Sequence, residues 1–157
     1  MASDQRFGSP EAILEYAIQK EQESRDFYIE WSRKVEKGWI KKMFEEFADE
    51  ELKHKEKLMA IKESKLQMKI LNPVREVPDL KISDYLADVD PDAKLDYQGA
   101  LILAMQKEKK AFQLYSDFAE SVGNESVREL LLGLAQEEAR HKLKLETEYD
   151  EYVLAEN

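Results

Sequence analysis

Apolar positions return every three or four residues from Ile13 to about Lys37, the period of a helix with one buried face. Ser9-Pro10-Glu11 precedes that stretch as an N-cap, a first-turn proline and an acidic first turn. Gly38 offers a break, and a second periodic stretch runs from about Trp39 to Met68. Residues 69–90 hold Pro73, Pro78 and mixed polarity, which reads as a long connection with one short helical turn near Ser83–Ala87. Asp90-Pro91 caps a third predicted helix reaching about Val122, Gly123-Asn124 turns the chain, and a fourth runs from about Glu125 to Leu154. Gly99 and Gly133 fall inside predicted helices, where each costs about 1 kcal/mol relative to Ala without overturning the pattern.

Each pair of helices is separated by a turn too short for anything but antiparallel neighbours, so the pattern predicts two helical hairpins. The connection between them decides the topology. A helix of about 26 residues is about 39 Å long, and a link of about 22 residues reaches about 70 Å when extended. Such a link crosses the full length of a bundle, which predicts an all-α four-helix bundle with one long crossover and parallel second and third helices. The expected layout is an N-terminal tail at 1–9, the bundle at 10–154 with its crossover at about 69–90, and a C-terminal tail at 155–157.

Composition agrees and narrows the chemistry. The chain has 157 residues with 37% charged and 43% apolar positions but only five glycines and four prolines, a supply too small for the turns of a sandwich or barrel. Cysteine is absent, which removes disulfides, thiolate catalysis, iron–sulfur clusters and Cys-ligated zinc together. The net charge of −10 argues against a nucleic-acid partner. No apolar run approaches the roughly 18 residues of a membrane span, and residues 1–10 lack the pattern of an export signal. A cytoplasmic protein is expected.

Sliding the sequence against itself by 87 positions exposes a repeat. Ala17, Gln19, Lys20, Glu21 and Tyr28 fall on Ala104, Gln106, Lys107, Glu108 and Tyr115. Without a gap, Ala48, Glu50, Glu51, His54 and Leu58 fall on Ala135, Glu137, Glu138, His141 and Leu145. A shared hairpin plan explains matched apolar positions, but not the alignment of the two histidines, which have no others in the chain.

The helical wheel puts Glu21 among Leu14, Ala17, Ile18, Ser24 and Tyr28, and Glu108 among Leu101, Ala104, Met105, Ala111, Phe112 and Tyr115. Glu51 shares a stripe with Phe44, Phe47, Ala48 and Leu58, and Glu138 shares one with Leu131, Leu134, Ala135 and Leu145. Unpaired buried carboxylates cost several kcal/mol each, so four of them require a positive partner. The second helix of each hairpin adds a histidine one turn after its glutamate, in Glu51-Leu52-Lys53-His54 and Glu138-Ala139-Arg140-His141. Four carboxylates and two neutral imidazoles offer a charge of −4, matched by two divalent cations. One Glu from each of two helices and one Glu-x-x-His from each of the others is a di-metal carboxylate pattern, and its mixed ligands suit iron or manganese better than magnesium or calcium. Glu50 and Glu137 point about 100° away, which reads as a solvated position or as a place behind the ligands from which to bond them. Tyr28 and Tyr115 read as core aromatics within two turns of the ligands, from where either hydroxyl could bond a ligand carboxylate, and the Met, Phe and Trp positions read as packing.

These residues resemble the ferritin-like di-iron carboxylate superfamily, and within it the rubrerythrin-like branch, over about residues 10–154. The resemblance rests on Ala17-Ile18-Gln19-Lys20-Glu21 with Phe27-Tyr28, Phe47-Ala48-Asp49-Glu50-Glu51-Leu52-Lys53-His54, Ala104-Met105-Gln106-Lys107-Glu108 with Leu114-Tyr115, and Leu134-Ala135-Gln136-Glu137-Glu138-Ala139-Arg140-His141. It implies iron ligation by Glu21, Glu51, His54, Glu108, Glu138 and His141, with Glu51 and Glu138 bridging the metals. It also implies reduction of hydrogen peroxide or dioxygen, or oxidation of ferrous iron for storage. The chain departs from the branch in three places. Without cysteine it has no rubredoxin-type iron site, so the electron donor is expected to be another protein. Ala111 stands where rubrerythrins carry an extra glutamate, and Leu52 and Ala139 stand where bacterioferritins place a haem-ligating Met. Ferritin cages use a short fifth helix after the bundle, whereas here the fourth predicted helix runs nearly to the last residue, so a homodimer or small homo-oligomer is expected rather than a cage. The leading expectation is a di-iron oxidoreductase holding two iron ions, with manganese as the other candidate. A ferroxidase using the same ligands and a metal-stabilised interaction module without turnover are the alternatives.

Overall fold

The computed structural model describes residues 9–63 and 95–156, with side chains to residue 152. Among these residues there are four helices and no strand: α1 (Pro10–Lys34), α2 (Gly38–Glu63), α3 (Tyr97–Ser121) and α4 (Glu125–Glu156). The predicted crossover, its helical turn near residues 83–87 and the Asp90-Pro91 cap lie outside the described residues. None of the four helices is long and apolar enough to cross a membrane.

Local chemistry sets the helix ends. Ser9, in extended backbone, accepts from the Ala12 N–H and starts α1 one residue before Pro10, as the sequence predicts. The break before α2 is carried by Val35, whose N–H closes back on the Trp31 carbonyl, and not by Gly38, which is the first residue of α2. At the third helix the structure corrects the expected start. Leu95 and Asp96 lie outside the helix, and the Asp96 carboxylate caps α3 by accepting from the Gly99 N–H at 2.7 Å. Asp96 stands six residues after Asp90 in the sequence and directly precedes the periodic stretch of α3. At α4 the cap is Asn124, which accepts from the Val127 N–H at 2.9 Å.

The helices form two compact units, the α1–α2 hairpin and the α3–α4 hairpin. In the first, Lys62 near the end of α2 meets Glu15 near the start of α1 at 3.2 Å, which fixes an antiparallel pairing. Its core stacks Tyr28 on Phe44, with ring centres 5.8 Å apart, and sets Phe47 edge-on to Tyr28 at 5.3 Å. Ile13, Leu14, Ala17, Leu58 and Ile61 extend that core along the hairpin. In the second, Tyr97 at the start of α3 donates a 2.8 Å hydrogen bond to Glu148 near the end of α4, again antiparallel. Leu101, Ala104, Tyr115, Phe118, Leu131, Leu134 and Leu145 are buried there.

Two packing expectations fail. Trp39 is 55% exposed and Phe112 is 37% exposed, where the sequence pattern predicts packing. Trp39 is one residue before Ile40, the buried residue that opens the stripe of α2, and the 100° rotation between them turns it outward. Phe112 follows Glu108 by four residues, and the rotation accumulated over that turn carries it from the buried stripe to the hairpin's outer edge. Met105 and Ala111, assigned to the same stripe, are only half-buried.

Candidate metal centre

At one level of its buried stripe each hairpin brings together two glutamates and one histidine. In α1–α2 these are Glu21, Glu51 and His54, each at most 2% exposed. His54 Nδ1 lies 3.0 Å from Glu21 Oε2 and 3.3 Å from Glu51 Oε1. In α3–α4 the same positions of the repeat place His141 Nδ1 3.5 Å from Glu108 Oε1 and 3.8 Å from Glu138 Oε1, with all three residues at most 1% exposed. Within each triad, one ligand atom from every member lies within 4.8 Å of the others. All six residues singled out by the sequence are therefore buried, and each hairpin assembles its own three.

Two local features produce each triad. The one-turn spacing of Glu51 and His54, and of Glu138 and His141, stacks carboxylate and imidazole on one helix face. The antiparallel pairing then brings the facing helix's glutamate to the same level. In both cases the imidazole turns Nδ1 toward the carboxylates.

The donor geometry fits a metal. Nitrogen and oxygen ligands about 2.1 Å from a transition-metal ion stand about 3.0 Å apart at right angles and about 3.4 Å apart in a tetrahedron. Three of the four separations, 3.0, 3.3 and 3.5 Å, fall within about 0.1 Å of that range, and the His141–Glu138 separation of 3.8 Å is wider. Each triad also buries two carboxylates beside one imidazole, a charge excess that a cation relieves.

A family model for rubrerythrin matches residues 12–149. The chain belongs to the rubrerythrin family. Solved structures agree on the fold, a ferritin-like all-α helical bundle. A Thermotoga maritima protein assigned to the ferritin-like diiron-carboxylate class superposes with a TM-score of 0.74 at 25% identity, covering 94% of this chain and 99% of that one. A hypothetical protein from Pyrococcus furiosus superposes with a TM-score of 0.68 at 28% identity, covering 91% of this chain and 89% of that one. No curated protein matches the sequence. Family and buried carboxylate–histidine triads together support metal binding.

The other residues weighed from the sequence separate clearly. Tyr28 and Tyr115 are buried core aromatics, Tyr28 within the cluster of Phe27, Phe44 and Phe47. Gln19 bonds Glu23 on the exposed side of α1. Glu148 was missed. It is 4% exposed, follows His141 by two helical turns on the same stripe and accepts from Tyr97. The seven-residue spacing from His141 carries the signal, but the matching position of the first hairpin is Ile61, so the repeat gives no second copy to draw attention to it. Burial and the Glu148 carboxylate together push the Tyr97 phenol well above its ordinary range.

Proposed function

We propose that the two triads together hold two iron ions in a single dinuclear centre, with Glu51 and Glu138 as bridges, and that the protein is a non-haem oxidoreductase reducing hydrogen peroxide or dioxygen. The observation that carries this reading is the recurrence, in register, of a buried Glu, Glu and His set in both hairpins. Family membership supports it independently.

A pair of ferrous ions, when bound, supplies two electrons and the Lewis acidity that polarises an oxidant. The chain's own contribution is placement and shielding. Glu21, Glu51, Glu108 and Glu138 balance the charge of two divalent cations, and His54 and His141 present Nδ1 as neutral donors. The tight burial of all six excludes bulk water and raises the strength of every electrostatic contact at the site. With no cysteine to hold a second redox iron site, the electrons come from a separate donor protein in the cytoplasm.

Metal analysis of the purified protein, followed by anaerobic loading with ferrous iron and exposure to peroxide or air, tests the reading. Close to two ions per chain and rapid oxidation by one of the two oxidants, with repeated turnover on adding a reductant, are expected. A protein that refuses ferrous iron overturns the proposal. Oxidation that stops after one turnover and leaves ferric mineral makes it a ferroxidase instead.

A further inference from the structure

We infer that the tip of the α1–α2 hairpin, residues 33–42, is the docking surface for an acidic electron-carrier protein. Such a partner is required by the function proposed above, on which this inference rests. Arg33, Lys34, Lys37, Lys41 and Lys42 stand at the tip with Glu36 as the one acid, and all six are exposed. These ten residues carry +4, so the rest of the chain carries −14. Among the described residues Lys34 has a carboxylate partner, Glu30 at 2.7 Å, and none of the other four bases is in an ion pair. Trp39, in the middle of the segment, is 55% exposed.

Helix stability does not account for this charge. Arg33 and Lys34 close α1, where bases complement the helix dipole. Lys37 and Lys41 bracket the first turn of α2 and Lys42 follows it, and there the same dipole disfavours them. The repeat supplies an internal control. Shifted by 87 positions, residues 33–42 become 120–129, with Glu120, Glu125 and Glu129 against Arg128, and Trp39 becomes Ser126. One turn is therefore basic with an exposed indole and the matched turn is acidic, a difference that a shared structural need would not produce.

Charge and size select the occupant. A protein with an acidic face is repelled by most of this chain and attracted to this one segment, which steers its approach and sets its orientation. Trp39 gives it an apolar anchor among the bases. Glu30 on one side and Glu45 and Glu46 on the other bound the basic segment, so the patch is little wider than two helix ends, about 200–300 Å². A footprint this small suits the brief encounters of electron transfer, which bury less than about 1,200 Å² in total. An anionic membrane would meet Trp39 alone, in place of the apolar face with which a helix enters a bilayer surface.

The interior behind the tip is aromatic. Lys34 Nζ lies 4.8 Å from the centre of the buried Trp31 ring. Tyr28 stands one turn further in, stacked on Phe44 and edge-on to Phe47, and Phe47 precedes Glu51 by one turn. Buried rings thus lead from the basic tip toward the triad, and closely packed protein carries an electron over such a distance better than water does.

Titration of the full-length protein with an oxidised plant-type ferredoxin, a small acidic carrier that in this state has no electron to give, tests docking apart from turnover. Binding at low salt is expected, and added salt should weaken it. Lys37→Glu and Lys41→Glu should each raise the dissociation constant at least about threefold, and Lys57→Glu, the same change of charge further along α2, should leave it within about 1.5-fold. Trp39→Ala should weaken binding at unchanged helicity. In iron-loaded protein with peroxide as oxidant, reduced ferredoxin should sustain turnover that slows in Lys37→Glu and Lys41→Glu, while dithionite serves wild type and variants equally. Failure of dithionite to cycle the iron-loaded wild type overturns the functional reading, whatever the titration shows. Ferredoxin binding that is absent, or that ignores Lys37→Glu and Lys41→Glu, overturns the docking inference, whatever dithionite shows, as does sedimentation with phosphatidylserine vesicles in place of ferredoxin binding.

Discussion

His54 Nδ1 stands 3.0 Å from Glu21 Oε2, joining α2 to α1 through two side chains that are 33 residues apart and almost wholly buried. This contact lies beside a second carboxylate, Glu51, at 3.3 Å from the same nitrogen. The arrangement carries excess negative charge without a cation and becomes balanced with one.

That balance predicts opposite effects of one substitution in two states. Glu51→Gln and Glu138→Gln remove a buried charge with little change of shape. In metal-free protein each should raise the melting temperature by a few degrees, at about 2–4 °C per kcal/mol for a chain of this size. In iron-supplemented protein each should melt lower than the wild type, because less metal is bound and its stabilisation is lost. Calorimetric melting with and without ferrous iron checks both signs. His141→Ala and Glu51→Ala should lower metal content outright.

Half-buried Tyr97 and buried Glu148 form a hydrogen-bonded pair whose counterpart in the first hairpin is apolar, with Ile61 in place of Glu148. Tyr97→Phe removes a donor from a buried carboxylate and should cost about 1–3 kcal/mol in urea unfolding. Combining it with Glu148→Ile should recover part of that loss, since the carboxylate left without the Tyr97 donor is then removed. A double-mutant cycle measures the recovery.

The two tyrosines held in their protonated form give an alkaline limit to stability. Burial, with Glu23 nearby, pushes Tyr16 up to about 12, and Tyr97 is raised by burial and by Glu148. A raised folded-state pKa contributes stability that is complete below the unfolded value near 10 and is lost as pH climbs through the folded value. Phenolate absorbance should therefore show some of the seven tyrosines titrating late, with stability falling between about pH 10 and 12. Tyr16→Phe should remove one late-titrating group.

Phe47 packs edge-on against Tyr28 and is 1% exposed. Phe47→Ala opens a cavity in the first hairpin and should destabilise by about 3–5 kcal/mol. Exposed Trp39 has no such packing, and Trp39→Ala should change stability by less than about 0.5 kcal/mol. Denaturant unfolding of the two variants compares them directly.

The amino-acid sequence alone determined the helices, their hairpin pairing and the six candidate ligand residues that the structure buries. Each of these follows from a local period: 3.6 residues per turn for the buried stripes, three residues for Glu51 with His54 and Glu138 with His141, and 87 residues for the repeat. The sequence pattern starts the third helix at Asp90-Pro91, and only the structure, with Leu95 and Asp96 outside the helix, gave the cap of α3 to Asp96. The fate of Phe112, one turn past Glu108 at the edge of the stripe, and the pairing of Tyr97 with Glu148 across 51 residues also awaited the tertiary structure. A period names the face a residue lies on, but burial at the edge of that face, and a partner on another helix, depend on where the neighbouring backbone comes to rest.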